Sequence, residues 1–149
     1  MNIADIENYI DYIFIEPPLV VGGLALDYHN VRKCGYDYDY MVSAIDWINL
    51  REKYPNNINL FGGKDEDEID ATINLDINGK HIDLIKTLWK YDYNYLSQNS
   101  VNIIEDKIKI ISLENILFIK SLPALKDHHK KSMDDLLLII DKVVDNKYY

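Results

Sequence analysis

Tyr36-Asp37-Tyr38-Asp39-Tyr40-Met41-Val42-Ser43 is the stretch on which both fold and chemistry turn. Tyr38–Ser43 reads as a strand, followed by a helix over Ala44–Tyr54 with Ser43 as its N-cap. In an extended chain, residues i and i+2 project to one face about 6.6 Å apart, at roughly 3.3 Å of rise per residue. Asp37 and Asp39 are therefore expected side by side. Two such carboxylates repel and raise each other's pKa unless a cation lies between them. Hard oxygen ligands completed by phosphate and water are what Mg²⁺ prefers, and paired ions about 3.5–4 Å apart clamp a transferring phosphoryl or nucleotidyl group. A solvent-facing strand is the plainer account of the same pattern.

Upstream, Ile3, Ile6, Ile10 and Ile13 recur at three- and four-residue steps, which predicts an amphipathic helix over residues 2–14, stopped by Pro17-Pro18. Leu19-Val20-Val21 reads as a short buried strand ending at Gly22-Gly23, with weak helical character over Leu24–His29. Glycines there let backbone N–H groups approach an anion, and a following helix N-terminus adds a favourable dipole. No P-loop or dinucleotide-binding glycine pattern is present.

Downstream, Ile58–Phe61 reads as a short strand, and Gly62-Gly63 with Lys64–Asp70 as a loop. That acidic run fails as a calcium loop, because Ile69 and Asp70 stand where the geometry needs an oxygen ligand and a glycine, respectively. Thr72, Asn74 and Asp76 alternate with Ile73, Leu75 and Ile77, and Asn78-Gly79 is the strongest short hairpin signal, returning along Lys80–Ile85. Asp83 lies there between apolar residues, where an acid needs a partner or a metal unless it faces water at a sheet edge. His81, on the same face, reads as structural. Val101–Ile104 with Lys107–Ile111 suggests a second hairpin. Tyr91, Tyr93 and Tyr95 alternate and suit packing better than base stacking.

The last third reads as helical. Ser112 caps Leu113–Ser121, Pro123 ends or kinks that helix, and Ser132 with Asp135 looks like a capping box ahead of a stripe of Leu136, Ile139, Ile140, Val143 and Val144. The expected fold is α+β, a mixed sheet flanked by helices with a helical C-terminal part, in one domain over residues 1–149.

Composition sets the outer limits. Sixteen basic against twenty-five acidic residues leave a net charge of −9, and only Arg32 and Arg51 are arginines. Bulk attraction to nucleic acid or an anionic membrane is not expected. One cysteine, Cys34, excludes a disulfide framework and a cysteine-based zinc site, and His128-His129 lack companions to make another. The longest apolar runs are far short of a bilayer span and the N-terminus lacks a basic leader, so a cytoplasmic setting is expected.

The order of parts resembles the nucleotidyltransferase superfamily, and within it the small toxin-type and abortive-infection-type members. Gly22-Gly23-Leu24-Ala25-Leu26, Arg32, Asp37-Tyr38-Asp39, Asp83, the helix from Ser112 to Lys120, and Lys130-Lys131-Ser132-Met133-Asp134-Asp135-Leu136 follow one another as that family's motifs do. Arg32 stands five residues before Asp37 rather than four, Cys34-Gly35 replaces a small hydroxyl residue, and Ser132 an acid. The resemblance implies a nucleotidyltransferase-like fold and Mg²⁺-dependent transfer of a nucleoside monophosphate from a nucleoside triphosphate to an acceptor hydroxyl. Asp37, Asp39 and Asp83 would be its metal-binding and catalytic residues. Gly22, Gly23 and Lys120 would hold the phosphates. The implied acceptor is a protein side chain, an RNA end or a small molecule, with no role for duplex DNA or membrane. The alternative is a catalytically silent member that binds a nucleotide or a protein partner.

Overall fold

The computed structural model describes residues 6–61 and 70–148; Ile3 and most of the loop expected from Gly62 onward lie outside them. In chain order the elements are α1 (Ile6–Ile10), β1 (Leu19–Val21), α2 (Gly22–Tyr28), β2 (Asp37–Met41), α3 (Ala44–Lys53), β3 (Ile58–Asn59), β4 (Thr72–Ile77) and β5 (Lys80–Ile85). Then come β6 (Thr87–Leu88), β7 (Tyr91–Asp92), α4 (Tyr93–Leu96), β8 (Val101–Ile103), β9 (Ile108–Ile110), α5 (Leu113–Asp127) and α6 (Lys130–Tyr148). The fold is α+β with a helical C-terminal part, as expected.

Seven strands form one mixed sheet in the order β3-β4-β5-β2-β1-β9-β8; β6 and β7 pair separately. Asn78 (φ 51°) and Gly79 (φ 77°) make the two-residue turn between β4 and β5, both in the left-handed region that a type I′ turn demands. That turn sets the antiparallel register, Asn74 opposite Asp83 and Asp76 opposite His81. β5 then runs parallel to β2, with Asp37 opposite His81 and Asp39 opposite Asp83, while β1 runs antiparallel to β2 with Val21 opposite Asp39. β5 is therefore an interior strand, and the sheet-edge alternative for Asp83 does not hold.

Buried apolar residues from Ile6 to Ile139 form one cluster, with Trp47, Tyr40, Met41 and Leu50 among its largest members. Asp46 is fully buried in it and accepts hydrogen bonds from the Tyr12 hydroxyl (2.6 Å), Ile15 N (2.9 Å), Glu16 N (3.0 Å) and Ser43 Oγ (2.9 Å). Four donors offset the cost of burying that carboxylate, and they strap the N-terminal segment to α3. Ser43 accepts from Asp46 N, the N-cap the sequence predicts.

Several boundaries differ from expectation. α1 stops at Ile10, because Asp11 enters the left-handed region (φ 47°), and Ile13 lies exposed rather than on a helical stripe. β2 starts at Asp37 and ends at Met41, two residues before Ser43, and β3 covers only Ile58–Asn59. Of the three alternating tyrosines, Tyr91 lies in β7 and Tyr93 and Tyr95 in the short helix α4, which Asp92 caps by accepting from Tyr95 N. Tyr93 is buried and donates to the Pro17 carbonyl (2.6 Å), whereas Tyr91 and Tyr95 pack with Phe118. α5 runs through Pro123 to Asp127, since a proline removes one hydrogen bond and the packing on either side holds the helix together. His128 closes α5 in the left-handed conformation. α6 starts at Lys130, so Ser132 is inside it; the His129 ring accepts from Ser132 N (3.3 Å), and Asp135 serves elsewhere instead of forming a capping box.

Candidate functional site

β2 moves from solvent into the core along its length: Asp37 is exposed, Asp39 half-buried, Tyr40 and Met41 buried. Its pleat puts Asp37 and Asp39 on one face, and the parallel register puts His81 and Asp83 of β5 on the same face directly alongside. Asp39 and Asp83 thus meet as neighbours on adjacent strands. Burial raises the Asp39 pKa to about 7, helped by repulsion from Asp83 and Asp37 and by a hydrogen bond with Asp83, against the attraction of Lys120.

Asp83 has further partners. Its Oδ1 accepts from Asn74 Nδ2 (2.6 Å) and lies 2.9 Å from His81 Nε2, while His81 Nδ1 lies 2.9 Å from Asp76. The hydrogen bond with Asp76 raises the His81 pKa against the effect of its burial. His81 is thus a bridge between two acids, in line with its structural reading.

Gly22 follows Val21 directly, at φ +60°, and its backbone lies against the Asp39 carboxylate; a Cβ at this position would collide with Asp39 Oδ2. Only glycine satisfies both the conformation and the approach. Val21, the N-cap of α2, offers no side-chain acceptor to the first-turn N–H groups. Gly23 faces elsewhere: a Cβ there would stand 3.2 Å from a guanidinium nitrogen of Arg32. Arg32 Nε and Nη2 grip the two oxygens of Asp135 at 2.7 and 3.2 Å, and Lys120 Nζ reaches Asp135 Oδ2 at 2.8 Å. Burial works to raise the Asp135 pKa, yet the hydrogen bonds from Arg32 and Lys120 hold it below the ordinary range.

A cavity of about 210 Å³ opens on this group, lined by Gly22, Asp39, Lys120 and Ser132 and walled by apolar residues that include Trp89 and Ile119. Its size is below the roughly 300 Å³ of sites that enclose a drug-sized ligand. Trp89 (φ 50°) and Lys90 (φ 70°) form the tight turn between β6 and β7 that carries the indole to the cavity, and Lys126 Nζ lies 5.7 Å from the indole centroid.

Of the residues singled out in the sequence, the structure brings Asp39, Asp83, Gly22 and Lys120 together. Asp37 stands one pleat farther out, acting on Asp39 through its charge, and Gly23 supports Arg32. Asn74, Trp89 and Asp135 complete the surroundings, and no motif in the sequence marks them as site residues. Asn74 was legible in principle, since a two-residue turn at Asn78-Gly79 pairs position 74 with 83.

Among the described residues no group of three or more His, Cys, Asp or Glu side chains is arranged to hold a metal ion. Two carboxylates that repel one another in a half-buried position nonetheless fit Mg²⁺, which is commonly bound by one or two carboxylates plus substrate phosphates and water. Asp39 and Asp83 would hold it, with Asp37 adding negative charge. No family model, curated protein or solved structure matches the chain. No helix among the described residues is long and apolar enough to cross a membrane.

Proposed function

We propose that the protein is a Mg²⁺-dependent nucleotidyltransferase of the nucleotidyltransferase superfamily, related to its small toxin-type and abortive-infection-type members. It moves a nucleoside monophosphate from a nucleoside triphosphate to an acceptor hydroxyl. The observation that carries this reading is the β2–β5 register, which sets Asp39 beside Asp83 against the backbone of Gly22, with Lys120 lining the same cavity. When bound, the cation neutralises phosphate charge and polarises the α-phosphoryl group. The acceptor oxygen bonds to the α-phosphorus as the bond to the bridging oxygen breaks, and pyrophosphate leaves. Asp83, through the oxygen that Asn74 and His81 leave open, either completes the cation site or accepts the hydroxyl proton. Gly22 N–H and Lys120 offset the phosphate charge, Lys120 turning from Asp135 to do so. The acceptor is a protein side chain, an RNA end or a small molecule.

Each of the four α-labelled nucleoside triphosphates, incubated with the protein, Mg²⁺ and a cell lysate, tests this reading. Label is expected to enter an acceptor with one or more of them, and Asp39→Asn is expected to lower transfer at least 100-fold. The variant should remain folded, because losing one charge of a repelling pair does not destabilise the fold. A second reading, a catalytically silent nucleotide binder, is favoured by the occupied Oδ1 of Asp83 and the lack of a preassembled three-ligand cluster among the described residues. A rise in melting temperature with triphosphate and Mg²⁺, without label transfer to any acceptor, decides for it.

A further inference from the structure

We infer that the chain carries its own acceptor: Ser132 Oγ receives the nucleotidyl group, with His129 as the base that takes its proton. The inference rests on the nucleotidyl-transfer reading and names the protein side chain that reading leaves open. Transfer needs a hydroxyl within reach of the bound triphosphate. Among the described residues lining the cavity of Gly22, Asp39 and Lys120, only Ser132 carries one. Ser132 is 5% exposed, so a nucleotide reaches it from within its own cavity and a second copy does not. An acceptor already held in the cavity also meets the phosphorus without the entropic cost of a separate encounter.

The hydrogen bonding prepares this hydroxyl to attack. His129 Nδ1 lies 2.9 Å from Ser132 Oγ and 3.3 Å from Ser132 N. A backbone N–H only donates, so Nδ1 bears its lone pair, and the Ser132 hydroxyl donates to that same nitrogen. A hydroxyl donating to an imidazole nitrogen is the pairing that activates serine as a nucleophile. In the step, Ser132 Oγ bonds to the α-phosphorus and the bond to the bridging oxygen breaks. Pyrophosphate leaves, and the hydroxyl proton passes to His129 Nδ1. With His129 as the base, Asp83 is left to the cation, and Lys120, in the same lining, to the charge of the departing phosphates.

The purified full chain with Mg²⁺ and α- or γ-labelled nucleoside triphosphates, with and without a cell lysate, tests the transfer. Without lysate, label is expected on the chain from one or more α-labelled triphosphates and from no γ-labelled one. Tandem mass spectrometry of its peptides is expected to place a nucleoside monophosphate on Ser132. His129→Asn, whose amide oxygen still accepts from Ser132 N but is no base, should slow this labelling about tenfold or more with an unchanged melting temperature. A fluorophosphonate probe serves with neither nucleotide nor Mg²⁺ present. It should label Ser132, and His129→Asn should slow that reaction about tenfold or more as well. Label on another residue of the chain, or labelled lysate acceptors beside an unlabelled chain, overturns the inference and leaves nucleotidyl transfer standing. A Ser132 inert to the fluorophosphonate also overturns it. No label on the chain or on anything in the lysate overturns the transfer reading, and this inference with it.

Discussion

Asp39 is the residue whose chemistry is most altered by its surroundings. Its folded pKa of about 7 lies above that of a carboxyl in the unfolded chain, so between roughly pH 4 and 7 the native state holds more protons than the unfolded state. The sign follows: this group contributes most to stability when protonated, and its contribution is lost as pH rises through 7. The melting temperature is expected to decline from pH 5.5 to pH 8 in the absence of divalent cations. Asp39→Asn should flatten that decline, and millimolar Mg²⁺ should recover part of the loss in the wild type but not in the variant. Scanning fluorimetry across this range checks all three, and a steep decline retained by Asp39→Asn would sink the assignment. Asp37 and Asp39 look equivalent in the sequence; only the gradient of burial along β2 separates them, leaving one exposed and the other half-buried.

Among the elements, α6 meets the cations of the site through Asp135. Asp135 is nearly buried, and it ties α6 to Arg32, just beyond α2, and to Lys120 on α5. Removing its charge leaves two cations facing each other with a weaker acceptor between them. Asp135→Asn is expected to destabilise the fold by about 2 kcal/mol, in the range for a charged hydrogen bond lost from a buried site. Chemical denaturation at pH 7 measures it. The loss should vanish at a pH low enough to protonate Asp135 in the wild type, because a depressed pKa contributes stability only above it. The β6–β7 turn shows why some elements escaped the sequence. Trp89 and Lys90 lack the Asn-Gly chemistry of such turns, and the packing of the indole at the cavity and beneath Lys126 holds a strained backbone that local preference does not favour.

Over the whole molecule, the net charge of −9 sets the field that an approaching polyanion meets. Basic residues around the junction of α5 and α6 are also committed internally: Lys126 lies over Trp89, Lys130 pairs with Asp134 at 3.0 Å, and the His129 ring bonds to Ser132. Binding to a 20-base-pair duplex in 150 mM salt is therefore expected to be weaker than about 10⁻⁴ M, the weak end of non-specific association. Electrophoretic mobility shift or anisotropy measures this. Micromolar binding with a log–log salt slope corresponding to six or more phosphates would contradict it.

What the sequence determined by itself was local. Helix caps such as Ser43 and Ser112, the Asn78-Gly79 turn, and the period-two alternation over Thr72–Ile77 follow from backbone geometry and short-range hydrogen bonding, which operate within a few residues. Together they imply strands in the middle and helices at the ends, and the structure has both. The β4–β5 register was legible for the same reason. Tertiary structure alone decided the rest, because the contacts that fix it join residues distant in the chain. Asp46 lies in an ordinary helical first turn until Tyr12, Ile15 and Glu16 fold over it. Asp135 fits a cap by spacing, yet Arg32, 103 residues away, claims it. The meeting of Asp39 with Asp83 depends on β5 entering the sheet parallel to β2, a pairing that no local pattern encodes and that the burial of both strands in one core imposes.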